Sequence, residues 1–207
     1  MSITTFAELK TSIADFLNRD DLSTTSETFI ALAEANFNRD IRHWRMETRK
    51  TSVLNTQFTE LPTDFLESIR MNLDTADHDV LEMVGTAEIS KLRADALNTQ
   101  GKPNYFSIVD GSIEVFPTPD GTYTLQMLYY QKINALTSVN TTNWLLTNHP
   151  DVYLYGSLIN SAPYLGEDNR LAVWASLYQN AVTNINNEAD RAKNGGSGRR
   201  IKIRSYG

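Results

Sequence analysis

The chain has no cysteine, and that one absence excludes disulfide staples, thiolate zinc sites and cysteine nucleophiles together. Histidine is scarce as well: His43, His78 and His149 are scattered, and none has another four residues away, as a helical metal pair requires. No HExxH, GxxxxGK[ST], GxSxG or GxGxxG sequence occurs. Gly195-Gly196-Ser197-Gly198 precedes no helical pattern, so it reads as a linker rather than a phosphate loop. No apolar run approaches the roughly eighteen residues of a membrane helix. The opening MSITTFAELK lacks the basic flank and apolar core of an export signal, so the expectation is a chain neither membrane-spanning nor exported. What is present is 41% hydrophobic and 21% charged residues over 207 positions, which fits one ordinary globular domain or two small ones. Stability must come from packing or from neighbouring subunits.

Charge is unevenly placed. Nineteen Lys and Arg against 25 Asp and Glu give a net charge of -6, yet residues 191–207 hold Arg191, Lys193, Arg199, Arg200, Lys202 and Arg204 and no acid; removing that +6 leaves -12 on residues 1–190. An acidic body repels polyanions, whereas a short basic tail can pair with phosphate or with an acidic protein surface.

Phe6, Leu9, Ile13, Phe16 and Leu17 recur at helical spacing, and Thr5 with Glu8 form a capping box, predicting a helix over 5–18. Phe29, Ile30, Ala33, Phe37, Ile41 and Trp44 make the apolar stripe of a second helix over 26–44, with Glu34 and Asn38 as polar flanks, and the two helices pair as a hairpin. From Thr48 the pattern changes to a β-hairpin turning at Asn55-Thr56 and ended by Pro62. Residues 66–74 and 80–84 suggest another hairpin. A capped helix of about three turns begins at Thr86 and stops before Gly101-Lys102-Pro103. Tyr105–Val109, Ile113–Phe116 and Tyr123–Tyr130 then read as a three-stranded meander, with Asp110-Gly111 supplying the tight turn. Pro150 opens an apolar helix, a break falls at Gly166-Glu167-Asp168, and Leu171, Trp174, Leu177, Tyr178, Ala181, Val182 and Ile185 mark a last one. The tail alternates Ile201 and Ile203 with Arg200, Lys202 and Arg204, as a strand that cannot fold alone.

Catalytic readings fail for want of parts. Asp74, Asp77 and Asp79 beside His78 are the best candidates for a hard cation, but the glycine and distal glutamate of a calcium loop are missing, and a solvated turn is the plainer account. Neither Asp64 nor Asp120 is followed by the Glu-x-Lys of a metal-dependent nuclease. Trp44, Trp144, Trp174 and the tyrosines at 153, 155, 164 and 178 could be base-stacking platforms, but such platforms need interleaved basic residues and the neighbours here are Asp151, Glu167 and Asp168, so they read as core or subunit contacts.

Thr142-Asn143-Trp144-Leu145-Leu146, then His149 to Leu158, Ala162-Pro163-Tyr164-Leu165 and Asp168 to Arg170 followed by Trp174 and Tyr178, together resemble the head-to-tail adaptor proteins of tailed bacteriophages, a family that includes the tail tubular proteins. Leu61 to Glu67 and Gly111 to Pro117 fit the same family. The resemblance implies an α+β fold, mainly α, with a four-helix body (residues 1–46 plus 142–193), a β-rich insertion with one short helix (47–141) and a flexible basic tail (194–207). It implies a ring of twelve copies in the virion neck, made in the host cytoplasm, that joins the portal protein to tail or nozzle proteins. DNA passes through the ring without specific binding, and neither enzyme activity, cofactor, metal nor membrane comes with the family. Portal docking is expected of Arg199, Arg200, Ile201, Lys202, Ile203 and Arg204, in a tail that orders only when it is bound. The alternatives are a DNA-binding module that uses the basic tail, and a small metal-dependent hydrolase built on Asp74, Asp77 and Asp79.

Overall fold

A computed structural model describes residues 3–22, 24–97, 99–166 and 169–195. In chain order the elements are α1 (Phe6–Leu17), α2 (Thr25–Asp40), a 3-10 turn (Trp44–Met46), β1 (Glu47–Leu54), β2 (Phe58–Glu60), β3 (Phe65–Leu73), β4 (Glu82–Met83), α3 (Thr86–Asp95), β5 (Tyr105–Val109), β6 (Ser112–Phe116), β7 (Tyr123–Gln131), α4 (Trp144–Asn148), α5 (Pro150–Leu165) and α6 (Leu171–Asn194). The fold is α+β with a β-rich region, and the chain divides into two compact units: Met1–Met46 with Ile133–Gly207, and Glu47–Lys132. Residues 133–141, read from sequence as the end of the β-rich insertion, therefore belong to the helical unit.

In the helical unit α1 starts where the capping box predicts. The Thr5 hydroxyl accepts from the Glu8 N–H at 3.3 Å, and the Glu8 carboxylate accepts from the Thr5 N–H at 3.0 Å, so two orphan amides are satisfied reciprocally. Helix α2 ends at Asp40 rather than 44. The amide of Asn186 on α6 stands in for the next turn: its Oδ1 accepts from the Arg42 N–H at 3.0 Å and its Nδ2 donates to the Asp40 carbonyl at 3.0 Å. Trp44, expected on the buried stripe, is consequently 41% exposed, while Ile41 and His43 are buried. Helix α5 begins at Pro150, whose missing N–H costs nothing in a first turn. It buries Val152, Tyr153, Leu154 and Leu158, and lies so close to α2 that a Cβ on Gly156 would come 2.8 Å from the Phe37 ring. Helix α6 buries Trp174, Tyr178, Ala181, Val182, Ile185 and Ala189 along one face.

The β unit holds two sheets with strand orders β1-β7-β3 and β2-β6-β5-β4. The strands lie near their predicted positions, but several partners differ. β1 and β2 are not a hairpin: β1 pairs with β7 and β2 with β6, so the 55–57 turn passes the chain from one sheet to the other. Nor do β5, β6 and β7 form a meander, because β7 leaves its predecessor to become the centre of the three-stranded sheet. Residues 80–84 pair with β3 only at the Asn72–Val80 bridge, after which β4 runs parallel to β5 with α3 as the crossover. The β5–β6 hairpin does form at Asp110-Gly111, where φ values of 46° and 71° give the doubly left-handed turn that matches strand twist. Leu54, Met71, Leu73, Phe106, Leu125 and Met127 fill the core between the sheets.

Candidate functional site

The stretch that carries the family resemblance builds a buried polar network in the helical unit. Asn143 caps α4 by accepting from the Leu146 N–H at 2.9 Å, while its Nδ2 donates to the Asn134 carbonyl at 2.7 Å and to the Tyr153 hydroxyl at 2.6 Å. Tyr153 in turn donates to Glu34 Oε1 at 3.0 Å, and the same oxygen accepts from the Leu136 N–H at 2.8 Å. One turn further along α2, Asn38 Oδ1 accepts from the Ile133 N–H at 2.9 Å. Glu34 and Asn38, read from sequence as the polar flank of α2, thus fasten residues 133–143 across it. Glu34 is only 6% exposed. Burial raises its pKa, and the bonds from Leu136 and Tyr153 oppose that rise. Burial and the neighbouring Glu34 charge push the Tyr153 hydroxyl well above its ordinary value, so it stays a donor. A signal was present: Ile30, Glu34, Phe37 and Ile41 follow the 4-3-4 spacing of one helix face, which places the carboxylate on the stripe itself.

A second cluster lies where the helical unit hands the chain on. The His43 ring stacks on Trp144 at 5.0 Å and tilts against Trp44 at 5.2 Å. Its Nδ1 accepts from the Arg45 N–H at 3.2 Å, which leaves the proton on Nε2. That Nε2 is buried without a hydrogen-bond partner, 4.0 Å from one Glu188 oxygen, while His149 Nε2 lies 3.9 Å from the other. Two imidazoles and a carboxylate suggest a metal, but a protonated Nε2 has no lone pair to give. Among the described residues no group of three His, Asp or Glu is placed to hold an ion.

Of the other carboxylates considered from sequence, Asp79, Asp64 and Asp120 are tied into structural bonds, and Asp74 and Asp77 join Asp79 in no metal-holding group. Asp79 accepts from Lys102 and Thr75, each at 2.8 Å, with its pKa lowered chiefly by the Lys102 bond. Asp64 takes Lys50 Nζ on both oxygens at 2.9 Å and the buried Tyr129 hydroxyl at 2.9 Å. Asp120 accepts from Tyr123 at 2.6 Å. Arg199, Arg200, Ile201, Lys202, Ile203 and Arg204 lie outside the described residues. No described helix is long and apolar enough to cross a membrane.

No curated protein matches the chain. Residues 4–201, nearly its whole length and including both units, match the family model described as SU10 adaptor protein. The polar network that locks 133–143 onto α2 and α5 suits a structural part. The chain belongs to this family of phage head-to-tail adaptors, structural proteins of the virion.

Proposed function

We propose that copies of this chain form a ring of twelve at the virion neck, joining the portal to the tail and surrounding part of the path by which DNA leaves. The observation that carries this reading is the family match across residues 4–201. Physical chemistry supports it. The -12 on residues 1–190 gives a conduit that repels phosphate weakly, whereas tight binding would stall a passing duplex. The Gly-rich stretch and the alternating Arg200-Ile201-Lys202-Ile203-Arg204 suit addition as a strand to an exposed portal edge, backbone bonds giving affinity and the isoleucines filling pockets. Repetition round a ring multiplies a modest single contact through effective concentration.

Electron microscopy of the protein mixed with its portal counts the copies directly. A chain ending at Lys193 should fold and lose portal binding; binding that survives this truncation refutes the role of the tail. The six cations after residue 190 favour a second reading, phosphate binding by the tail. A gel-shift titration separates the two, since phosphate contacts give an affinity that falls steeply with salt, while the adaptor reading expects little binding at physiological salt.

A further inference from the structure

In the β unit the chain leaves β3 through residues 74–79 and comes back beside it. The Leu73 N–H donates to the Asp79 carbonyl at 2.8 Å and the Leu81 N–H to the Met71 carbonyl at 2.9 Å, after which the two segments part. An apolar groove of about 210 Å3 lies where they diverge, lined by Ile69 and Met71 of β3, by Val80, Leu81 and Met83, and by Phe106 of β5. β3 and β4 each end their sheet, so the groove is bordered by two strand edges. The N–H groups of Glu82 and Val84 are spent on the Asn104 and Phe106 carbonyls, and strand alternation turns that of Met83 the other way. Val80 is 62% exposed and Met83 60%. Strand edges beside exposed apolar side chains offer an incoming strand both backbone partners and a place for every second side chain.

We propose that this groove takes residues 199–204 of a second copy of the chain, added as a strand. Charge and side-chain pattern choose the occupant. Residues 66–84, which build most of the groove, carry Glu67, Asp74, Asp77, Asp79 and Glu82 against Arg70, a net -4, of which the Lys102 ammonium bonded to Asp79 offsets one. Residues 199–204 carry Arg199, Arg200, Lys202 and Arg204, a net +4. The period of two in a strand puts Ile201 and Ile203 on one side, suited to the apolar lining, and Arg200, Lys202 and Arg204 on the other, suited to the acids around it. Other surfaces fit this segment worse. β1 is a long edge strand, but it carries Arg49 and Lys50 against Glu47 and repels a cationic strand. β2 is three residues long. The hollow along α1, lined in part by Ala7, Thr11 and Ala14, is walled by a helix whose backbone groups bond within it. The inference rests on the strand-adding tail of the reading above, not on the ring or the portal, and gives that tail an edge on its own kind that a portal edge must outcompete.

Because the chain has no cysteine, one introduced thiol per copy reports the contact. Full-length Ile203→Cys is mixed under mild oxidation with full-length Val80→Cys and, in parallel, with Val53→Cys, whose parent side chain on β1 is 59% exposed and so as open to chance collision. Rates are normalised to the reaction of each thiol with a small neutral disulfide. The 203–80 product, at twice the 23.3 kDa chain mass and identified by mass spectrometry of its joined peptides, should form at least tenfold faster than the 203–53 product. Glu82→Lys in the Val80→Cys chain should lower that advantage at least threefold, with a matched thermal melt to show that the β unit still folds. Ile201→Asn in the Ile203→Cys chain leaves every charge in place and the body untouched, and should lower it by as much. Equal rates at positions 80 and 53 overturn the docking, and so does an advantage that Ile201→Asn leaves intact, since charge alone then draws the tail. Neither result touches the portal reading, which falls only if portal binding survives truncation at Lys193.

Discussion

The Tyr153 hydroxyl donates to the Glu34 carboxylate at 3.0 Å, linking the first turn of α5 to the middle of α2 across 119 positions of sequence. The oxygen it reaches also takes the Leu136 N–H, so one buried atom holds two helices and the returning connector together. Such a network specifies one arrangement because any other leaves a polar group unpaired in a low-dielectric interior. It is the feature of this fold that fixes where the chain re-enters the helical unit after the sheets.

Substitutions at Glu34 separate its charge from its role as an acceptor. Glu34→Ala leaves the Leu136 N–H and the Tyr153 hydroxyl without their acceptor, and should cost about 2–4 kcal/mol in urea unfolding. Glu34→Gln keeps a carbonyl oxygen for both donors and removes the buried charge. Because the folded pKa of Glu34 is raised, its stabilising share is complete below the unfolded value near 4.5 and is lost as pH rises through the folded value. Gln should therefore equal or exceed Glu in melting temperature at pH 7, with the advantage shrinking as pH falls toward 4.5. A Gln variant as unstable as the Ala variant at pH 7 would refute the account.

His43 has the opposite sign. Burial depresses its pKa, Glu188 works against that, and His149, Arg45 and Lys193 reinforce it. A depressed histidine makes the unfolded state bind more protons once pH drops below about 6.5, so folding weakens as pH falls from there toward the folded value and then levels off. Protonating Nδ1 also sets two donors against each other at the Arg45 N–H. Replacement by Asn, whose Oδ1 can accept in place of Nδ1, should lower stability at pH 7.5 through lost stacking on Trp144, yet narrow its gap to the parent chain as pH is taken to 5.5. A gap independent of pH would show that His43 does not titrate on folding.

How much of this was legible in the sequence depended on range. The Thr5–Glu8 box and the Asp110-Gly111 turn are decided within four residues, and both stand where the sequence puts them. Strand positions were legible from alternation, but strand partners were not: Thr48 to Leu54 finds β7 about seventy-five residues away, and nothing in its own residues names that partner over β2. The end of α2 was missed for the same reason, since the group that replaces its last turn is Asn186. Glu34 falls on the buried stripe by its spacing, but a carboxylate is expected on the solvent side, and the Leu136 N–H and Tyr153 hydroxyl that make its burial tolerable come from more than a hundred residues away. The expected docking residues of the tail lie beyond what the structure describes.

Arg93 pins α3 to the second sheet. Its Nη1 donates to Thr118 Oγ1 at 2.8 Å, and its Nη2 to the Val115 carbonyl at 3.0 Å and to Glu114 at 3.2 Å, with the guanidinium over the Phe116 ring. Lysine offers a point charge in place of this fork and cannot reach all three acceptors at once. Arg93→Lys should speed amide exchange across Thr86–Asp95 by roughly tenfold, about 1.4 kcal/mol of local stability, while exchange in α5 stays as it was. Equal acceleration in both helices would mean that Arg93 supports the whole chain and not this one attachment.

Gly156 tests whether the close approach of α2 and α5 is a packing requirement. By helix propensity alone, alanine at an interior helical position gains up to about 1 kcal/mol over glycine. Here its methyl would meet Phe37 Cε1 at 2.8 Å, Phe37 Cζ at 3.0 Å and Ala33 Cβ at 3.4 Å. The ring has no room to withdraw, being fully buried with Tyr153 edge-on at 4.9 Å and Tyr178 stacked at 6.2 Å. Overpacking therefore outweighs propensity, and Gly156→Ala should destabilise the helical unit by about 1–3 kcal/mol. If the clash is the cause, Phe37→Leu should make the second substitution nearly harmless, so the double variant is more stable than the two single effects sum to. Strict additivity of the pair would show that α5 needs glycine at 156 for a reason other than the ring across from it.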